Sequence, residues 1–392
     1  MIFKKDKLYI VLILIVAILI RIIVIPIKGP DYNLFLSNWY NEIIQNGKLN
    51  SLGLQIGNYT PPYILFLTFG TYLISNSLLY IKVLSVIFDI ICSIYVALIV
   101  YHFCNNKYKA CLGFAISFII PGIIINSSVL GQCDSIYTSF VLMFIYYILK
   151  GKIKLACFFF GIALSFKLQA IFVAPVLLYL IFVKKMKIVN FLYVIVGVFF
   201  FMIPSMIYGK NIIDIINIYT QQTKEYGMIV KSAPNIYSLV SLNYVKVNLI
   251  IKYFLSLTTV IFSIFIVLYP TKKNNNYSDK IFFINILILS LIVPYLLPGM
   301  MDRYFYMANI FLLINIFIMD KKNKLIIIFM LANIAYFVPV LTINFLSDER
   351  TFYYCEKIGV TTISSVINTY IIIYMCYLYK NINNTYKMFG NE

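Results

Sequence analysis

The stretch "KKDKLYIVLILIVAILIRIIVIPIKGPD", Lys4 to Asp31, decides how the rest of the chain is read. Its apolar run of about 20 residues is long enough to cross the hydrocarbon core of a bilayer as a helix. The basic start resembles a secretory signal, but no small-x-small cleavage site follows before Arg21 and Pro26. It therefore reads as a retained transmembrane helix, about 8–27. Lys4, Lys5 and Lys7 hold its start on the cytoplasmic side, so its far end emerges outside at Lys28, Gly29 and Pro30. There stands Asp31, the first acid after the N-terminal tail.

Further along, the same grammar repeats. The chain has 392 residues, 62% of them hydrophobic and 12% charged, with a mean hydropathy of +0.91. Soluble domains are about half apolar and a quarter charged, so the expected fold class is all-α, a polytopic integral membrane protein with about 10–12 transmembrane helices. One membrane domain, 1–392, is expected: an extracytoplasmic loop at 28–76, a transmembrane core at 77–320 and C-terminal helices at 321–392. The net charge of +18 does not point to nucleic acid, because the lysines stand in twos and threes between apolar runs, as in cytoplasmic loops. Seven cysteines, at 92, 104, 111, 133, 157, 355 and 376, form no CxxC pair and read as packing residues. A single histidine, His102, argues against a zinc site or a His-based triad.

Lysine clusters then thread the chain. Lys107 and Lys109, Lys150, Lys152 and Lys154, and Lys184, Lys185 and Lys187 are placed inside, with spans near 77–101, 110–129 and 136–149 between them. The segment 155–183 is too short for two full crossings and reads as two short helices or a re-entrant hairpin with Lys167 near its tip. Later spans fall near 188–208, 248–269, 280–297, 306–319, 325–345 and 359–379, which leaves both termini cytoplasmic. On this threading nine acids lie outside or at the outer boundary: Asp31, Glu42, Asp134, Asp214, Glu225, Asp302, Asp348, Glu349 and Glu356. Acids are weak topological determinants, so their outward crowding suggests a functional outer face.

The loop 28–76 is not plain. Leu34, Phe35, Trp39, Ile43 and Ile44 recur at helical spacing, which predicts an amphipathic helix in the interface with Trp39 at headgroup depth. Pro61-Pro62 then starts a second helix whose apolar part, Tyr63–Ile74, is too short to span.

Several polar residues stand out against the apolar background, each with an ordinary structural alternative. Asp31 is placed to take a proton from a hydroxyl at the lipid boundary, or simply to cap the interfacial helix. In "LGQCDSIYTSF", Leu130–Phe140, Gln132 and Asp134 suit a ligand pocket, while Asp134 also suits a helix N-cap. Lys167 and Gln169 lie in the apolar "GIALSFKLQAIFVAPVLL", where an ionisable group implies a partner or a ligand such as phosphate. Lys82 and Asp89, seven apart, read as an internal ion pair. Arg303, one of three arginines, lies in "LPGMMDRYFYMANI" beside Asp302 and Tyr304 and suits phosphate capture or snorkelling. "NIYTQQTKEYGMIVKSAPNIYSL", 217–239, offers Tyr226 and Asn235 among aromatics and amides that suit a saccharide.

Taken in order, "DYNLFLSNWYNEIIQNG", "GNYTPPYILFL", "IKVLSVIFDII", "LGQCDSIYTSF", "FGIALSFKLQAIFVAP", "SAPNIYSL" and "MMDRYFYMAN" resemble the GT-C superfamily of membrane glycosyltransferases that use polyprenyl-phosphate sugars. The likeness is strongest to bacterial predicted mannosyltransferases related to the second mannosyltransferase of GPI-anchor assembly. The resemblance implies a GT-C-like fold and an inverting hexosyl transfer at the outer face of a bacterial plasma membrane. The acceptor would be a hydroxyl of a glycan, lipid or protein, with Asp31 as general base. It also implies cations on the lipid phosphate, matched by Arg303 and Lys167 and then Arg21 and Lys28, and a sugar or acceptor pocket drawn from Gln132, Asp134, Gln169, Tyr226, Asn235, Asp302 and Tyr304. The chain departs from the family pattern at Leu130, where Trp is usual, and at Met301, where His is common. No visible motif requires a divalent metal or other cofactor. The alternatives are a flippase for lipid-linked oligosaccharide and an envelope polymerase or ligase; the chain shows no repeat between its halves of the kind a transporter favours.

Overall fold

The computed structural model describes residues 2–224, 227–269, 277–319, 322–345 and 359–389. Among these the chain is almost wholly helical, with two strands of two residues each. Six helices are long and apolar enough to cross a membrane, or seven if the bent pair Lys107–Ile119 and Pro121–Val129 counts as one. Shorter apolar helices occupy Asp134–Leu149, Ile153–Phe166, Leu168–Phe182 and Ile188–Phe200. These are the features of an all-helical, multi-pass membrane protein. The chain divides into two compact units, Met1–Ala170 with Asn190–Glu225, and Ile171–Val189 with Tyr226–Glu392.

The first unit runs through α1 (Ile2–Val24), a π turn (Tyr32–Leu36), α2 (Ser37–Gln45), α3 (Pro61–Leu73), α4 (Ser77–Cys104), α5 (Lys107–Ile119), α6 (Pro121–Ile124) with a second π turn (Ile125–Val129), α7 (Asp134–Leu149) and α8 (Ile153–Phe166). After α9 (Val176–Phe182), which belongs to the second unit, it resumes with α10 (Phe191–Phe200), α11 (Ile203–Ile207) and α12 (Ile212–Lys224). Asn76 and Asn106 start α4 and α5 by accepting from the backbone N–H groups of Leu79 and Lys109. Pro121 lacks the N–H that would continue α5 and pushes Ile120 into an extended conformation, which explains the 52° bend there. Most of α1 is exposed apolar surface, as lipid contact requires, and its buried face carries Ala17 and Arg21 one turn apart.

Helices α4 and α7 meet along small polar residues. Ser135 Oγ donates to the Ser85 carbonyl, Ser139 Oγ to the Phe88 carbonyl, and Cys92 Sγ lies 3.1 Å from Ser139 Oγ. Such side chains let helices approach closely where no hydrophobic force separates lipid from protein. Helices α8 and α10 come closer still. A Cβ on Gly161 would sit 2.0 Å from the Val194 carbonyl oxygen, and one on Gly197 would sit 2.0 Å from that of Phe158. Gly161→Val is therefore expected to destabilise by the upper end of about 1–3 kcal/mol. Gly227→Ala, where an added Cβ meets nothing within 4 Å, is the control; thermal unfolding in detergent compares the two.

Both helices expected in the loop 28–76 form, as α2 and α3, but Trp39 is not turned to the lipid. Its indole is buried against Tyr59, with centroids 5.1 Å apart and planes tilted by 55°, and against Gly57, whose φ of +57 and missing Cβ make room for the ring. The apolar periodicity was shared between two faces: Trp39 and Ile43 pack inward, while Leu34, Phe35 and Ile44 stay exposed.

The second unit comprises α9, β1 (Val230–Lys231), α13 (Ile236–Leu239), α14 (Leu249–Leu268), α15 (Asp279–Leu296), β2 (Met300–Met301), α16 (Tyr306–Ile318), α17 (Lys322–Phe345) and α18 (Val360–Phe389). Helix α15 is buried along nearly all its length, and its Ile284, Ile288 and Ile292 pack on Tyr379 of α18. Strands β1 and β2 are parallel, with Val230 opposite Met300 and Lys231 opposite Met301. Thr362 donates to the Ser238 carbonyl and Asn368 to that of Pro234, so the Ser232–Ser238 stretch is pinned to the start of α18.

Candidate functional site

The site grows from the contact of two short polar segments in the first unit. Gly29 packs directly on Leu130, where a Cβ would lie 3.0 Å from Cδ2, and this brings the end of α1 against the turn before α7. Asp31, half-buried, opens the first π turn. Across 101 residues of sequence, Gln132 Nε2 donates to its Oδ2 at 2.5 Å.

Two residues on, Asp134 begins α7, where the helix dipole favours a carboxylate. It makes no backbone cap there. Its fully buried carboxylate instead accepts from Lys167 Nζ at one oxygen and from Asn126 Nδ2 at the other, 2.8 Å away. The break in the chain at Lys167 makes this possible. Lys167 has extended backbone, φ −157°, at the end of α8. The carbonyls that the break releases are taken by side chains: Phe166's by Thr60 Oγ1 at 3.0 Å and Ser165's by the Tyr219 hydroxyl at 2.8 Å. Thr60 and Tyr219 thus join the 28–76 segment and α12 to the break. Of the two readings for 155–183, both include a helix break at Lys167, and the structure has one.

From the exposed side an aromatic series leads inward. Phe35 meets Trp39 at 6.0 Å, Trp39 meets Tyr59 at 5.1 Å, and Tyr59 meets Tyr63 at 4.8 Å. The Tyr63 hydroxyl is buried, which raises its pKa well above the ordinary value, and the neighbouring Cys133, Tyr80 and Asp134 push it the same way. Lys167 is paired with Asp134, and the Asp31 carboxylate accepts from Gln132, two residues before that pair. The arrangement suits a proton acceptor facing a hydroxyl.

Arg21 lies elsewhere in the unit. Its guanidinium is buried on Asp89 at 3.0 Å and over the Phe118 ring at 3.8 Å, and Ser127 Oγ also donates to Asp89. Lys82, the partner expected for Asp89, turns instead to the carbonyls of Ile25 and Ile27 at the end of α1. Lysine at a helix C-terminus satisfies carbonyls that have no intrahelical donor. A phosphate contact from Arg21 does not fit this burial. Lys28 is exposed, and Gln169 is half-buried in the turn Leu168–Val173.

The other predicted residues belong to the second unit. Arg303 is half-buried in the turn Asp302–Phe305, Asp302 is buried with the Asn344 amide 3.4 Å away, and the Tyr304 ring meets Phe172. Two cations that sequence reasoning missed accompany Arg303: Lys231 is opposite Met301, and Lys252 Nζ lies 3.2 Å from where a Gly299 Cβ would be. The Asn235 side-chain carbonyl caps α13 by accepting from the backbone N–H groups of Tyr237 and Ser238. Tyr226 lies outside the described residues. Asn126, Tyr63 and Thr60 were also missed; the polar "NSS" at 126–128 inside an apolar run was the available signal for the first. Among the described residues, no three of His, Cys, Asp and Glu gather to hold a metal ion. Neither a protein-family model nor a curated protein matches this chain.

Proposed function

We propose that the chain is an inverting glycosyltransferase of GT-C type, moving a hexose such as mannose from a polyprenyl-phosphate carrier to a hydroxyl at the outer face of a plasma membrane. The observation that carries this reading is the half-buried Asp31 carboxylate, held at the end of the first helix by Gln132 and set beside the Asp134–Lys167 pair. In this reading Asp31 accepts the proton of the acceptor hydroxyl as that oxygen attacks the sugar's anomeric carbon, and the bond from that carbon to phosphate oxygen breaks. Charge then collects on the departing lipid phosphate, and cations that neutralise it supply much of the catalysis. Taken by itself, the second unit offers a cationic group suited to a phosphate: Arg303, with Lys231 opposite Met301 and Lys252 beside Gly299. Lys167 supports Asp134 instead, because withdrawing its ammonium would strand a buried carboxylate at a cost of about 3–5 kcal/mol.

Purified protein in nanodiscs, incubated with radiolabelled polyprenyl-phosphate mannose or glucose and envelope extract, is expected to yield a labelled glycan, lipid or protein from one donor. Turnover of no monophosphate donor would sink the reaction. Movement of intact lipid-linked oligosaccharide between leaflets would favour a flippase, and use of pyrophosphate carriers alone would favour a polymerase or ligase.

A further inference from the structure

We infer that Gln132 is a positioning residue for the Asp31 carboxylate, an inference that rests on reading Asp31 as the base. Gln132 is 3% exposed and lies in no helix. Its backbone is held on both sides: the N–H donates to the Asn126 carbonyl at 2.9 Å, and the carbonyl accepts from Ser85 Oγ at 2.8 Å. Gly131 before it has φ +65°, which an L side chain rarely adopts, so this tight turn is specified by sequence. Asp134 after it is tied to Lys167 and Asn126. Both flanks of the glutamine are therefore fixed.

The amide's direction follows from chemistry. With Oε1 toward Asp31 two acceptors would face each other, so Nε2 must make the 2.5 Å contact. That leaves Oε1 buried with no hydrogen-bond partner among the described residues. A buried acceptor without a donor costs the desolvation of that oxygen, and an apolar side chain of the same volume would avoid the cost. The chain thus keeps a residue that is worse for stability than methionine would be, and its amide's one hydrogen bond is to Asp31. Donation to a carboxylate favours the ionised form that a base needs, and it restricts the carboxylate to one orientation.

A positioning role and a structural role predict opposite signs for stability. Unfolding temperature and steady-state transfer are measured on the full-length protein in nanodiscs for wild type, Gln132→Met, Asp31→Ala and the double variant. Gln132→Met is expected to unfold at or above the wild-type temperature, to lose about 10–100-fold in kcat and to leave KM for donor and acceptor unchanged. In the Asp31→Ala background it should cost no further kcat, because the residue it acts through is gone. A lowered unfolding temperature with a raised KM, or kcat losses that multiply in the double variant, overturns the inference. Gln132→Glu keeps the length of the side chain and sets a like charge against Asp31; it covers the case of poor folding by the methionine variant. Its kcat should fall at least as far, and a wild-type kcat for it overturns the inference. If the wild-type protein turns over no polyprenyl-phosphate hexose, the glycosyltransfer reading fails separately. The unfolding cycle then still decides whether Gln132 and Asp31 are coupled: non-additive shifts support the contact, and additive ones overturn it.

Discussion

Asp31→Asn is expected to lower kcat by about 10²–10⁴-fold, the usual worth of a general base, while KM for the donor stays near the wild-type value. The substitution is nearly isosteric, and its Oδ1 can still accept from Gln132 Nε2, so the contact between the end of α1 and the turn before α7 survives. What is lost is the ability to take a proton. Asp31→Glu keeps that ability but moves the carboxylate outward by one methylene, away from the orientation Gln132 imposes, and should fall between the two. Kinetics on both variants, with matched unfolding temperatures, separate chemistry from folding. Full transfer by a folded Asp31→Asn protein would remove Asp31 from the mechanism.

The second large effect concerns stability. Asp89→Ala should destabilise the protein by about 3–5 kcal/mol, because the Arg21 guanidinium, 3% exposed, would remain buried without its counter-charge. Ser127, which donates to the same carboxylate, would be left with the Ile123 carbonyl, 3.0 Å away, as its acceptor. Replacing both charges, Arg21→Met with Asp89→Leu, should restore most of the loss, since the desolvation cost of both ions disappears together. Folded yield and denaturant midpoints of the single and double variants measure this. A double variant as unstable as Asp89→Ala would mean that the pair contributes more than its removal cost.

Of the 10–12 spans expected, hydropathy placed the six long apolar helices of the described residues, because a lipid-facing helix such as α1 or α14 must be apolar whatever it packs against. Local rules also placed the start of α3 at Pro61. What period and spacing could not assign were partners. Lys82 and Asp89, seven apart, do share one face of α4, yet that face meets two neighbours: the lysine finds open carbonyls of α1 and the aspartate finds Arg21. Likewise Gln132 and Asp134 are two residues apart but lie at a turn, so one reaches Asp31 and the other Lys167. Trp39 was placed on the correct helix but given the wrong neighbour, because nothing in its spacing announces that Gly57 folds back over the ring. The candidate base was legible from position; the group that holds it was not, since their contact spans 101 residues.

The Arg21–Asp89 pair also sets an order of events at the ribosome. The two residues are 68 positions apart, so at synthesis rates of about 5–20 residues per second the arginine precedes its partner by roughly 3–14 s. During that interval α1 must enter the bilayer carrying an unneutralised cation. Its place near the C-terminal end of the helix lets the long side chain reach toward headgroups until α4 arrives. Moving that arginine to the middle of α1 would therefore tax membrane insertion before it taxed the finished fold.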